Sequence, residues 1–555
     1  MTLAIFPSGA GGGGGATVDR FAPRYLLGIA GAGFPATPQG APWVYVQDTG
    51  DGQGLAAVIA MAAIDPGPIQ ISPGVIDLAT GPVLGPIVVP GNVQVRGSGR
   101  GVTTIKGPKI GNQGVFALNA GSDLSDLTIA AGALDVGSIV AVAAVELLAP
   151  ATMNRVDITT SRPAGGTLLC CVRAFYAGAP IAFSRLTDCS LTSLTAAPEP
   201  PAIESCGVDN ASPDDSGIVV LTNVVIIGGN WGVLARKGST IAGLVVAVDQ
   251  QFGAFRSDSA GGSFQLVGFG AIVGASASSK WVGVDVTAGG PAWIERGALV
   301  GDGQTGRYVG VRIGGGGGVN GLGVESCFAI GMGIGFQAGT FAGGSAQLVS
   351  FVDCAAIESS LFGMWLGPAT QLCNVRGFKC SMLDAGLPFP GPEALHVDGS
   401  NHAIASVQLD NSTARGSALV TLGTGHTFTG ALAQCAGDAA GWEHGASRCT
   451  LGSCVVTMTT GSPFPALSVT GDDCAISGNS CVAGTNSGVS AIQVASAGCA
   501  VTGNRTTTDA GIAGVTLLGA SVSCAVTGTV ARGAGAGNAV VDLGAGNIFP
   551  SNLGW

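Results

Sequence analysis

The sequence predicts an all-β chain wound as a parallel β-solenoid, a stack of coils built from short strands. Three observations predict it. The composition is apolar yet rich in glycine, a 25-residue repeat runs without insertion near the C-terminus, and short alternating apolar–polar segments recur through most of the chain.

Of 555 residues, 46% are hydrophobic, only 10% are charged, and 95 are Gly. Disordered chains are poor in apolar residues and rich in charge, and collagen-like chains carry strict glycine periodicity with more proline. Short strands joined by tight corners satisfy both the apolar content and the glycine content. The net charge is −11, from 23 Lys+Arg against 34 Asp+Glu, and the basic residues do not cluster. Phosphate neutralisation therefore has no agent, so neither nucleic acid nor an acidic membrane surface is an expected partner. The longest apolar runs, 55–64 and 139–145, fall short of the ~20 residues a membrane span needs. The N-terminus lacks the charged start and apolar core of a secretory signal, so folding in the cytoplasm is expected.

Taken in order, residues 1–42 are expected to be a tether or attachment segment. Gly11–Gly15 is an unbroken glycine run, 28–40 is rich in Gly, Ala and Pro, and 18–27 carries aromatic and aliphatic anchors suited to docking. Residues 43–107 are expected to hold a short capping helix and the first coils, with Asp51 and Gly52 at the helix start and Asp65-Pro66-Gly67 stopping it. Within this stretch Gly97-Ser98-Gly99-Arg100-Gly101 looks like a nucleotide loop. It is followed by the strand-like 102–105 rather than a helix, and is read as a corner.

Residues 108–532 are expected to form the solenoid rod. Alternating segments occur at 124–129, 153–158, 183–189, 221–226, 349–354, 375–380 and 407–409. From about 447 to 530 the coil length is regular. Cys449, Cys474, Cys499 and Cys524 recur every 25 residues, with Leu451, Ile476, Val501 and Val526 two positions on. Strand side chains alternate and coils stack ~4.8 Å apart, so each Cys should sit on the next Cys. Gly478-Asn479 and Gly503-Asn504 should end their strands, since both residue types tolerate left-handed backbone. Residues 533–555, with Ile548, Phe549 and Trp555, are expected to cap the far end.

The stretch Val44–Gly107 resembles the opening of the pectate-lyase-like right-handed parallel β-helix of the phage tailspike type. The shared features are an Asp/Gly turn at 48–52, an Ala-rich helix over 55–63, and the coil 87–99 followed by Thr103-Thr104-Ile105. The resemblance implies a single-stranded right-handed parallel β-helix, a homotrimer, and contact with polysaccharide. Proteins of this scaffold include lyases, hydrolases, epimerases and inert fibres, so fold alone does not fix an activity.

Fifteen cysteines and four histidines invite a search for metal. There is no C-x-x-C pair; Cys170 and Cys171 are adjacent, and Cys449 and Cys454 are five apart. Neither a metal nor a cofactor is expected, and the thiols are read as small buried hydrophobes. Covalent stapling of the Cys ladder is the alternative. Glycan cleavage needs paired carboxylates. The candidates are Asp209, Asp214 and Asp215 in a Pro/Ser loop, Asp353 and Glu358 flanking a strand, and Asp472 with Asp473 opening a coil; solvated loop carboxylates are the plainer reading. His444-Gly445 and Asp472-Asp473 resemble polygalacturonase signatures, but in reverse order and without the Arg-x-Lys partner. Seven Trp and four Tyr are few for a sugar-binding groove.

The expected function is a virion-associated spike, fibre or decoration protein that contacts host surface glycans, mainly structural and adhesive. It would be made in the host cytoplasm and exposed on the particle. Its expected partners are two further copies in a homotrimer, a particle or tail protein held through residues 1–42, and a surface polysaccharide. The alternative is a polysaccharide lyase or glycoside hydrolase acting as a tailspike depolymerase. A third reading is a secreted β-helix adhesin, against which the retained Met1 counts.

Overall fold

A computed structural model describes residues 3–5, 25–31, 44–83, 85–107, 114–133, 142–161, 168–175, 182–194, 204–212, 217–258, 262–288, 290–303, 308–314, 318–339, 344–384, 386, 391–436, 439–459, 462–485, 487–534 and 539–554. Two compact units divide the chain, Met1–Ser278 and Ser279–Trp555. Each is a parallel β-solenoid, as the repeat and the alternation predict.

In the first unit the strand Val44–Asp48 pairs antiparallel with Leu3–Ile5 and parallel with Tyr25–Ile29, which in turn pairs with Ile69–Ile71. Tyr25–Ile29 is buried and belongs to the sheet, although it lies inside the segment 1–42 expected to be a tether. Its apolar run Tyr25-Leu26-Leu27 fills core that would otherwise stand open. The glycine run 11–15 lies outside the described residues. Later strands are longer: Gly217–Gly228 pairs in parallel with Ser239–Val248, with Leu221 on Ala242 and Val224 on Val245.

The helix Gln53–Ile64 buries Leu55, Val58, Ile59 and Ala62. Gly52 is its N-cap, in the left-handed region at φ 85°, where the Leu78 side chain would meet any added Cβ at 2.3 Å. Asp51 accepts the Gln53 N–H at 3.1 Å. The principal capping residue, however, is Asp48, which the sequence did not single out. Its buried carboxylate accepts the N–H groups of Gly50, Asp51 and Gly52 on Oδ1 (2.7, 3.1 and 3.1 Å) and that of Leu55 on Oδ2 (2.8 Å). It thus satisfies orphan donors at the helix start from four residues before the N-cap.

The second unit shows the coil most plainly. A coil runs through a leading strand such as Ala475–Ser477, a middle strand such as Ser480–Val482 and a third strand such as Ile492–Val494. Leading strands stack in register, Leu451 on Ile476 on Val501 on Val526. The four ladder cysteines sit one residue ahead of these strands, buried, and the carbonyls of Cys449, Cys474 and Cys499 each accept a 2.8 Å bond from the next coil. Between leading and middle strands a left-handed residue turns the chain: Ser326, Asp353, Ser406, Ser453, Gly478 and Gly503, all with φ between 51° and 64°.

Asn479 and Asn504 follow that left-handed position rather than occupying it, which corrects the reason expected for them. They are buried, and their side chains hold the coils together. Asn504 Oδ1 accepts the Asn479 N–H at 2.9 Å, and Nδ2 of Asn479 and Asn504 donate to Leu451 O (3.1 Å) and Ile476 O (2.9 Å). Residues 539–554 continue the pairing, with Val540–Asp542 on Val515–Leu517 and Leu553–Gly554 on Val530–Arg532, while Ile548 and Phe549 stay exposed. Trp555 lies outside the described residues.

Replacing Asp48 by Ala strands several buried N–H groups at once. Opening of Gln53–Ile64, followed by amide hydrogen exchange, should become easier by about 3 kcal/mol, roughly 100-fold faster exchange. Asp48→Asn, which keeps one acceptor oxygen, should fall between; unchanged exchange in Asp48→Ala would refute this role.

Candidate functional site

Middle strands of the second unit alternate their side chains, so one set fills the core and the other faces outward. Ala356, Cys380, Leu409 and Ala433 point inward in register. Their neighbours make two outward rows. One runs Phe328, Ala355, Lys379, Gln408, Leu432, Val455, and the other includes Ser381, Asp410, Gln434 and Thr457.

These rows line a groove of about 710 Å³. Five steps of ~4.8 Å carry it about 24 Å from Phe328 to Val455. Its lining mixes apolar surface from Phe328, Ile357 and Leu432 with amide, hydroxyl, ammonium and carboxylate groups from Gln408, Gln434, Ser381, Lys379 and Asp410. At the groove wall the register shifts between Ala356 and Ser359, and Glu358 takes a left-handed φ of 55°. Such bulges re-aim side chains. The Glu358 N–H leaves the ladder and donates to Ser381 Oγ at 3.3 Å.

The carboxylates proposed from sequence take different places. Asp209 is fully buried in the first unit against two guanidinium groups, Arg236 Nε at 3.0 Å and Arg173 Nε at 3.6 Å. Its charge is consumed by structure. Asp214 and Asp215 lie outside the described residues. Asp353 and Asp473 are left-handed corner residues at φ 51° and 56°. Asp472 Oδ1 accepts the Ala497 N–H at 2.8 Å. Of the described candidates, Glu358 is the one beside the groove. Sequence reading missed Lys379, Gln408, Asp410 and Gln434, although segments 375–380 and 407–409 were recognised as strands. The available signal was alternation: each polar residue neighbours an inward apolar one.

Other titratable groups lie in the core. His402 and His426 stack with ring centroids 5.0 Å apart and 4° between planes. Nδ1 of His402 accepts the Cys373 N–H at 3.0 Å and Nδ1 of His426 accepts the His402 N–H at 3.3 Å, so both protons reside on Nε2, which faces the carbonyls of Asp398 and Leu422 at 2.7 Å. Burial pushes His402 and His444 down to about 4, and lowers His426 as well. On the outer face of a third strand, His396 Nδ1 meets Glu393 Oε2 at 2.6 Å beside the rings of Phe362 and Trp365. None of the fifteen cysteines is in a disulfide, and all are buried. The structure also brings His444, Cys449 and Cys474 together, with ligand atoms within 4.8 Å of one another, a grouping that the sequence spacing did not suggest.

No protein-family model and no curated protein matches the chain. Among solved structures it is similar to the tailspike protein of Acinetobacter baumannii bacteriophage Fri1, a capsular polysaccharide depolymerase (10% identity, 60% of this chain and 59% of that one, TM-score 0.32). It is also similar to the tailspike protein of E. coli bacteriophage HK620 in complex with pentasaccharide (13% identity, 90% and 76%, TM-score 0.29). A third is the A-module of an Azotobacter vinelandii mannuronan C-5 epimerase (12% identity, 91% and 97%, TM-score 0.19).

His402 gives a pH prediction. The folded group titrates near 4, and the unfolded one at about 6.5. Between those values the unfolded chain binds more protons, so this contribution is complete above pH 6.5 and is lost as pH falls towards 4. It amounts to about 3 kcal/mol. Melting of the full chain should therefore fall less steeply over this window in His402→Gln than in the unsubstituted protein, with carboxylate effects common to both. Parallel pH profiles would contradict the assignment.

Proposed function

We propose that the chain is a glycan-contacting β-helix carried on the surface of a virus particle, with the groove from Phe328 to Thr457 as its polysaccharide site. The observation that carries the reading is the lining of that groove. Apolar groups at Phe328 and Leu432 around hydrogen-bonding groups at Lys379, Gln408, Asp410 and Gln434, spread over about 24 Å across stacked strands, suit an extended sugar chain, whose C–H faces need apolar contact and whose hydroxyls need paired donors and acceptors. Gln408 and Gln434 each supply both. The resemblance of Val44–Gly107 to the tailspike type supports placement on a particle, and the segment 1–42, apart from the strand Tyr25–Ile29 built into the sheet, would attach it there.

Three copies are the proposed assembly. In the first unit Val225 and Val246 in one row, and Ile227 and Ile272 in the next, face outward, each at least 36% exposed, and neighbouring copies would cover these rows. The enzymatic alternative also has a specific anchor. Asp410 and Lys379 line the groove, and Glu358 stands at the bulge beside it, so that acidic and basic groups of the kind a lyase or hydrolase uses occur along one face.

Binding of the full chain to a panel of bacterial surface polysaccharides tests this reading. Phe328→Ala and Gln434→Ala should each weaken binding about 10-fold, the equivalent of about 1.4 kcal/mol, while Arg505→Ala, outside the groove, should not. Binding to none of the panel, or binding indifferent to both groove substitutions, would sink the proposal. Oligosaccharide release that disappears in Glu358→Gln would replace adhesion with depolymerisation as the activity.

A further inference from the structure

The core of the second unit contains a column of soft ligands at one structural position. In successive coils it holds Cys373, His402, His426, Cys449, Cys474 and Cys499, linked by backbone donors that point to the next side chain where Cys373 meets His402, His402 meets His426, and His426 meets Cys449 Sγ (3.2 Å). His402 and His426 have both ring nitrogens engaged, as described above, and are structural. The column changes character where it turns to sulfur. There His444, on the third strand Trp442–His444, reaches across the core to the thiols.

We propose that His444 Nε2, Cys449 Sγ and Cys474 Sγ form a binding site for a thiophilic divalent d10 cation of the zinc group. Nε2 of His444 lies 3.4 Å from Cys474 Sγ, and all three ligand atoms fall within 4.8 Å of one another. An ion about 2.3 Å from sulfur and about 2.0–2.1 Å from nitrogen places its ligands about 3.5–4 Å apart, so small side-chain adjustments close the site. A d10 ion has no ligand-field preference that three-coordination would forfeit.

The ligand chemistry selects the ion. Two sulfurs and an imidazole exclude hard Ca²⁺ and Mg²⁺, which take oxygen. Binding releases two thiol protons, and the resulting pair of thiolates neutralises a divalent charge. No net charge is then buried, which a site of fully enclosed residues demands. The imidazole is already oriented. Thr421 Oγ1 receives the Trp442 Nε1–H at 3.2 Å, lies 3.4 Å from Glu443 O, and contacts His444 Nδ1. In the metal-bound form Thr421, with its hydrogen on the Glu443 carbonyl, would accept the Nδ1–H and leave the Nε2 lone pair towards the thiols, replacing the bond that the metal-free ring makes to the Ala446 carbonyl. Thr421 is thus a positioning residue.

Because the ligands are enclosed, loading accompanies folding. The full chain should be refolded with Zn²⁺, or with Cd²⁺ as a spectroscopic probe, then dialysed. The expected result is one metal per chain by elemental analysis, a sulfur-to-cadmium charge-transfer band, and a higher melting temperature than the metal-free protein. Cys474→Ala and His444→Asn should lose the stoichiometric metal and the melting shift, and Thr421→Val should weaken binding about 10–100-fold. Cys481→Ala, another buried thiol outside the group, should keep them, which separates site loss from general damage to the core. Cys170→Ala/Cys206→Ala controls for the other close thiol pair, whose sulfurs lie 2.7 Å apart. Absence of bound metal in the unsubstituted chain, retention in Cys474→Ala, or loss in Cys170→Ala/Cys206→Ala with retention in His444→Asn would each overturn the proposal.

Discussion

Both units depend on one constraint: each short strand finds its backbone partners in the coils before and after it. A strand of three residues has too few bonds of its own to be stable, so its N–H and C=O groups must meet the neighbouring coil in fixed register. A one-residue slip would turn the inward row outward and expose the core. Register is therefore imposed at every step, and it forces side chains at equivalent positions into contact. Leu451, Ile476, Val501 and Val526 form one such row, and the ladder cysteines form another. Where the row is amide, as at Asn479 and Asn504, stacking satisfies side chain and backbone together. Replacing either residue with an apolar one would orphan one carbonyl and one N–H of the preceding coil: Leu451 O and Cys454 N–H for Asn479, Ile476 O and Asn479 N–H for Asn504.

The same constraint explains what the sequence reveals. The 25-residue spacing is visible because the coils from 447 to 530 contain no insertion, so spacing in sequence equals spacing in space. Upstream, loops of unequal length hide the period while the inward alternation persists. The corner residues were harder to read. Left-handed positions accept Gly, Asn, Asp and Ser, and in this fold they also hold Arg155, Leu244 and Leu372. Asp353 and Asp473 occupy such left-handed positions, which their acidic side chains do not announce in the sequence. Asp48 looked like part of a turn and is the helix cap, because its four donors come from residues whose convergence depends on the folded chain.

The groove was illegible for a different reason. Its residues are common polar types, separated by one coil of variable length, and nothing in Lys379, Gln408 or Gln434 distinguishes them from solvated positions until register aligns them. Glu358 was visible as an acid, but its place at a bulge was not, since a bulge is a mismatch between two strands and belongs to neither alone. Position along one strand is thus readable from alternation, whereas position across strands requires the lengths of every intervening loop.

Inward and outward rows therefore carry different kinds of information. An inward residue is constrained by the coils on both sides, so apolar and small residues dominate, and an unusual inward residue such as His444 demands a specific partner. His444 has one in Thr421, which also holds the Trp442 indole, and it places the other ring nitrogen beside a thiol. An outward residue is constrained only by solvent, so it can change without cost to the stack. Recognition of a long ligand is best built there, one side chain per coil, at a spacing the backbone sets in advance. The scaffold supplies pitch and rigidity, and the outward row supplies chemistry; a groove with Phe328 and Leu432 around a polar strip is what that division produces when the ligand is extended and amphipathic.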